Sequence, residues 1–400
     1  MERKTGFVAA CTAFTLCAFL AGVALAADPE VRTHKQPYPD RWNSIKNPPV
    51  NKFSYPPDIW AAENMSFRTT GKLVEYYLTI EQIKWNIVGD VYVTQWAFNG
   101  QVPGPLLTAT EGDIVRITVK NNTTIDHTIH PHGQWVPMNM DGVPNITQLS
   151  VQPGETFVYE FMAKPSGHMF YHCHVNAATH MDMGLYGSFI VYPGPEVASG
   201  TTKDQAADPS LKIDRDYVMI LDEVDTRIDD GESGGMELGH PRKIANFNYF
   251  TINGKSFPET PMIFVREGDI VRVRFLNFGY WSHAMHLHGH AFAQASAECD
   301  RCPRIWEFRD AMNLNAAQRT DIVFKANNPG RWVFHCHRVP HATNDGAYPG
   351  GLLTIVEYEN NPYLAVIPPL PLPGFKTMDD PKTMNMSLSH KAIRKQIMGE

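Results

Sequence analysis

Seventeen histidines stand in this chain of 400 residues. Fourteen fall in four short clusters: His127, His130 and His132; His168, His172, His174 and His180; His283, His286, His288 and His290; His335, His337 and His341. Two clusters also place a cysteine between two histidines, in His172-Cys173-His174 and His335-Cys336-His337. Histidines kept only for a polar surface would scatter. Neutral imidazole and thiolate are ligands of borderline transition metals, so the grouping points to metal chemistry.

The clusters come in matched pairs. Glu111-Gly112-Asp113-Ile114-Val115-Arg116 returns unchanged 156 residues later as Glu267-Gly268-Asp269-Ile270-Val271-Arg272, and His127, His130 and His132 return at the same offset as His283, His286 and His288. Gly167 and His172-Cys173-His174 return as Gly330 and His335-Cys336-His337 at an offset of 163, so the second copy carries seven extra residues, in the stretch holding Cys299 and Cys302. One domain is therefore used twice. Both copies read as β: Val115, Ile117 and Val119 alternate with Arg116, Thr118 and Lys120, as Val271, Val273 and Phe275 alternate with Arg272 and Arg274. Short runs of this kind between Gly, Pro and Asn turns predict an all-β chain of two sandwiches.

Strand parity then decides what each cluster can do. Cys173 shares a face with Tyr171 and Val175, so its sulfur points into its own sandwich while His172 and His174 point out. His130 and His132 share parity, and His127 is opposite, facing inward with Cys173. The second copy repeats this with His283 and Cys336 inward, against His286, His288, His335 and His337. With His180 or His341 as a second imidazole, each inward set has one thiolate and two imidazoles, the ligands of a blue copper centre. The outward sets supply four imidazoles per domain. Eight imidazoles around one space exceed a closed tetrahedral zinc site.

The elements that must carry these residues are bounded by composition. Arg3 and Lys4 precede an apolar run from Phe7 to Val23 and then Ala24-Leu25-Ala26, so residues 1–26 read as a signal peptide and the mature protein as periplasmic or secreted, with no membrane segment. Residues 27–65 form a Pro-, Asn- and aromatic-rich arm, 66–195 the first domain, 196–212 a linker, 213–360 the second domain and 361–400 a Pro-rich tail; either end could strap an oligomer or hang loose. A net charge of −7 advertises no nucleic-acid surface. Cys299-x-x-Cys302 in an exported chain favours a local disulfide over a metal knuckle.

Taken together, these residues resemble the multicopper oxidases, the family of laccases and ascorbate oxidase. The four signatures correspond to His130-Pro131-His132-Gly133, His172-Cys173-His174, His283-Ala284-Met285-His286-Leu287-His288-Gly289, and His335-Cys336-His337 with His341, over roughly residues 66 to 360. Having two repeats, the chain is similar to the two-domain, laccase-like branch. The resemblance implies two tandem cupredoxin-like Greek-key sandwiches. It implies a type 2 copper on His130 and His286, and a binuclear type 3 pair on His132, His172, His174, His288, His335 and His337. It implies a type 1 copper on His127, Cys173 and His180 in the first domain, with Leu185 in the axial position and Met181 and Met183 nearby. His283, Cys336 and His341 either hold a second type 1 copper or leave Cys336 a buried thiol, so the subunit takes about four coppers, or five. The cluster of two-domain members forms between the first domain of one subunit and the second of its neighbour, which implies a homotrimer.

The implied reaction couples one-electron oxidation of a small reductant or metal ion to reduction of dioxygen to water. Cys173, His172 and His174 form its electron path and Asp141 is a candidate proton relay, although Asp141-Gly142 is also an ordinary turn sequence. Met138 and Met140 suit a metal-ion donor or simple packing. His168 and His290 are open between support of ligands and packing. Two rivals share parts of the pattern. A copper nitrite reductase has a pattern resembling His-x-x-Asp-x-His and needs one histidine beside the cysteine; here His130 stands at the Asp position and His174 adds a second imidazole, favouring the oxidase. A non-catalytic copper carrier would need no cluster.

Overall fold

Period-two burial shapes both halves of the chain. In the strand Ile114–Asn121, Val115, Ile117, Val119 and Asn121 are buried while Ile114, Arg116, Thr118 and Lys120 are only partly so. The computed structural model describes residues 31–33 (backbone), 70–194, 213–226, 247–298 and 307–362. The leader, the linker, Cys299, Cys302 and nearly all of the C-terminal tail lie outside the described residues. Of the N-terminal arm, Val31–Thr33 is a strand running parallel to Thr156–Val158.

The repeat is visible in the sheets. In the first domain Leu73–Val88 runs parallel to Ile114–Asn121, which is antiparallel to Thr156–Met162. In the second, Arg215–Val224 runs parallel to Ile270–Asn277, which is antiparallel to Arg319–Lys325. The facing sheets match as well. Leu107–Thr110, Tyr186–Tyr192, Gly167–His172 and His130–His132 lie side by side in that order, as do Ile263–Val265, Leu353–Tyr358, Arg331–Cys336 and His283–Leu287. The result is two cupredoxin-like sandwiches, almost wholly of strands.

Each sandwich closes on its own core. Val115, Ile117, Phe157, Phe161, Phe189 and Cys173 pack in the first, and Val271, Val273, Phe275, Phe292, Phe334 and Cys336 in the second. Each such side chain contributes about 1.5–3 kcal/mol by leaving water. A third cluster, with Ala97, Phe170 and Tyr186 from one domain and Ile220, Leu276 and Phe278 from the other, joins the two. That contact breaks the alternation in Ile270–Asn277, where Leu276 on the face opposite Phe275 is buried in it. Arg274, on the same face as Leu276, is buried too and held by Asp216 at 3.1 Å.

Candidate metal centres

Cys173 follows the last residue of Gly167–His172, whose register against His130–His132 sets His130 beside His172 and His132 beside Phe170. His127, bridged to Val151, and Cys173 are fully buried on the inner side. His127 Nδ1 lies 3.6 Å from Cys173 Sγ, and His180 Nδ1, at the end of the short helix Ala177–His180, lies 3.3 Å from it. Metal–sulfur and metal–nitrogen bonds of about 2.3 and 2.0 Å at a tetrahedral angle would separate these atoms by about 3.5 Å, so the three side chains fit one ion. Burial pushes His127 down to about 2 and His180 to about 4, leaving neutral imidazoles with free lone pairs. It pushes the Cys173 thiol up to about 12. A thiolate here therefore needs a bound cation, which deprotonates a coordinating thiol outright.

Leu185 lies in the same buried core as Cys173 and Met183. It is fully buried, its carbonyl accepts the Cys173 N–H at 3.0 Å and its own N–H donates to the His180 carbonyl at 3.2 Å. Two imidazoles and a thiolate within reach of one ion form a set that suits copper in electron transfer. Trp96, which the sequence pattern did not single out, sets its ring edge-on to both imidazoles, 4.5 Å from His180 and 5.3 Å from His127 between centroids.

The outward imidazoles gather on the other side of the same strands. Ring centroids of His130 lie 5.4 Å from His132, 5.2 Å from His172 and 5.5 Å from His174. His130 Nδ1 donates to the Asp141 carbonyl at 2.6 Å and lies 3.3 Å from its Oδ1, while His172 Nδ1 donates to the Cys173 carbonyl at 2.9 Å. The second domain repeats this: His286 Nδ1 donates to the Asp310 carbonyl at 2.8 Å and His335 Nδ1 to the Cys336 carbonyl at 3.0 Å. In all four rings the backbone takes the Nδ1 proton and Nε2 is left for a metal, the usual way a second hydrogen bond fixes a ligand's tautomer. His132 Nδ1 lies 3.4 Å from His172 Nε2, and His288 Nε2 lies 3.0 Å from His335 Nε2. Burial holds His132 and His172 down at about 3.

The two outward sets do not meet within one chain. Among the described residues, each group able to hold a metal comes from a single domain: His127, Cys173 and His180; His130, His132 and His172; His283, Cys336 and His341. His288 and His337 are exposed, and His130, His132, His174, His286 and His335 half-buried. Each domain thus turns a set of four imidazoles outward.

The inward set of the second domain is complete. His283 and His341 face each other, Nδ1 to Nδ1, at 2.9 Å, and lie 4.0 and 3.8 Å from Cys336 Sγ. Phe250 stacks on His341 at 4.4 Å and Trp281 at 5.3 Å. Burial lowers both imidazoles to about 3 and raises the thiol. A carboxylate that the sequence reading missed, Glu223, lies with Oε1 2.7 Å from His283 Nε2, both side chains fully buried. Two acids ending the apolar run Val218-Met219-Ile220-Leu221 were its sequence signal.

The open residues resolve. His290 hydrogen-bonds the His288 carbonyl at 3.1 Å and the Tyr358 hydroxyl at 2.7 Å, so it braces the segment carrying His288. His168 is fully buried against the Ser188 hydroxyl, at 3.0 Å, and packs away from the ligands. Met140 is buried, its sulfur accepting the Glu160 N–H, whereas Met138 is 67% exposed. Asp141 is both a turn residue and a neighbour of His130. Gly142 adopts φ +82°, and a Cβ there would lie 2.0 Å from the Ile129 carbonyl oxygen, so the Asp-Gly turn is what presses Asp141 onto the ring.

Comparison with known proteins agrees with this geometry. Two sequence profiles, each described as multicopper oxidase, match residues 79–196 and 234–348. Dihydrogeodin oxidase from Aspergillus terreus is 41% identical over 148 residues, 34% of this chain and 23% of that protein; the chain spans under a quarter of that curated relative. A structure described as a blue copper oxidase from Nitrosomonas europaea is 36% identical with a TM-score of 0.64, over 72% of this chain and 86% of the other. A copper nitrite reductase from the same organism shares the fold at 23% identity and a TM-score of 0.58, over 72% of this chain and 95% of the other.

Proposed function

The chain belongs to the multicopper oxidase family, and from that premise we propose that it oxidises a small reductant or metal ion one electron at a time and reduces dioxygen to water. The observation that carries the reading is the contiguity of His172, Cys173 and His174: one strand end offers a thiolate to the inward site and imidazoles to the outward one. Copper bound in the two kinds of site supplies reversible one-electron transfer and, where several ions are together, multi-electron reduction of oxygen. His127, Cys173 and His180 would hold the mononuclear ion, with Leu185 buried in the same core. Peptide bonds from Cys173 to its neighbours give a short covalent path between the sites. His130 and His286 would hold the type 2 ion, and His132, His172, His174, His288, His335 and His337 the type 3 pair. Asp141, beside His130, would hold and pass on protons for the reduction of oxygen.

The half-clusters on opposite domains support a homotrimer in which the first domain of one subunit meets the second of the next. The complete donor set of His283, Cys336 and His341 supports a second mononuclear copper, giving five per chain. The leader supports export to the periplasm or beyond, which N-terminal sequencing of the purified protein tests by finding its start after Ala26.

The deciding experiment combines copper analysis, the visible spectrum and oxygen uptake with phenolic and metal-ion donors. Five coppers with donor-dependent oxygen uptake are expected. Four overturn the second mononuclear copper alone; two or fewer, without oxygen uptake, overturn the oxidase in favour of a carrier. Nitrite-dependent nitric oxide release without oxygen uptake overturns it in favour of a nitrite reductase.

A further inference from the structure

The two copies of the repeat differ behind their buried histidines. His127 and His283 hold the same place 156 residues apart, each with Nδ1 toward its cysteine. In the first copy Nε2 lies 2.9 Å from the hydroxyl of Thr123. The residue 156 positions after Thr123 is Gly279, which has no side chain to offer. Glu223, from the strand Arg215–Val224, fills the place instead. Register explains how it arrives: Leu221 pairs with Asn277 as Ile80 pairs with Asn121, so Glu223 stands where the first copy has the exposed Gln82. A Cβ on Gly279 would fall 2.1 Å from Glu223 Oε2, so the glycine is the condition for the carboxylate's entry. The N–H groups of Tyr280 and Trp281 then donate to Oε2 and Oε1 at 2.8 and 3.1 Å.

We propose that Glu223 is the positioning residue of the second-domain centre: it sets a carboxylate 2.7 Å behind His283 Nε2, leaves Nδ1 on the cysteine side for metal, and makes this centre a weaker oxidant than the first-domain one. A buried carboxylate against a ligand makes that ligand more basic and favours the more highly charged metal, whereas the Thr123 hydroxyl behind His127 is neutral. The two mononuclear centres of one chain therefore differ in potential, with the second-domain centre the lower. The inference rests on copper being held by His283, Cys336 and His341.

The test is a redox titration of the copper-loaded, full-length protein followed through its thiolate–copper absorption. Wild type should show two one-electron steps, and Cys336→Ser should remove only the lower. Glu223→Gln should raise the lower step by about tenfold in the oxidised-to-reduced equilibrium, about 59 mV for one electron, and leave the upper step in place. Gly279→Ala, which crowds the carboxylate out while keeping Glu223, should shift the same step the same way. Gly279→Thr combined with Glu223→Gln should bring the two steps together. If the lower step stays put in both the Gln and the Ala variants, Glu223 does not tune the site. If Cys336→Ser leaves copper content and titration curve unchanged, the second-domain copper is refuted, and this proposal falls with it.

Discussion

Burial sets the protonation of the imidazoles before any metal arrives. His127 is held near 2, His132, His172, His283 and His341 near 3, and His180 near 4, against an ordinary value of 6.5. A base whose folded value is depressed takes up protons more readily when unfolded, so its contribution is complete above about pH 6.5 and is lost as pH falls toward the folded values. The copper-free protein should lose melting temperature steadily from pH 7 to pH 4; a calorimetric midpoint flat over that range would contradict the burial. Asp141 gives a second prediction. Asn at this position keeps the main-chain carbonyl that orients His130 and removes the charge. Asp141→Asn should cut the oxygen-reduction rate by about 10²-fold and shift its pH profile, with KM for the reductant unchanged; an unaltered rate would leave Asp141 as a turn residue. At this scale most of the site was legible, because His and Cys are few and their clusters recur at fixed offsets. Trp96, Thr123 and Glu223 were not, since each reaches a ligand from outside the motif that carries it.

Parity along a strand is what made the inward and outward sets readable as elements. A period of two admits only two faces, and once Cys173 is assigned to the core its neighbours have one place left. The alternation fails where a second layer covers the outer face, as at Leu276, because period-two patterning is blind to a domain packed across the strand. Turns are read less completely. An Asp-Gly pair announces a bend but not what the bend touches. Gly142 supplies the test, since a side chain there meets both a φ of +82° and the Ile129 carbonyl. Gly142→Ala should cost more than about 1 kcal/mol in thermal or denaturant unfolding, and should loosen copper at His130 before copper at Cys173. Equal loss from both sites would mean that the turn supports the whole domain rather than one ligand.

The whole molecule is where the sequence is least explicit, because no motif states which surfaces meet. What it does carry is a count: four outward imidazoles per domain, two domains per chain, and a reaction that needs them together. Within one chain, among the described residues, no group able to hold a metal draws on both sets. A head-to-tail ring solves this by repeating one heterologous contact until it closes. The arrangement can be tested by complementation. A chain with His130→Ala and His132→Ala lacks the first-domain half, and one with His286→Ala and His288→Ala lacks the second. Each alone should be inactive while keeping the visible absorption of its Cys173 centre. Mixed after dissociation and allowed to reassemble at equal amounts, the two should pair one intact first domain with one intact second domain at about a quarter of the interfaces. Oxygen uptake should recover to roughly that fraction of wild type. A cluster built within single chains would give no recovery at any mixing ratio, because every chain would then carry its own defect, so zero activity in a mixture shown to contain mixed trimers would rule out the shared site.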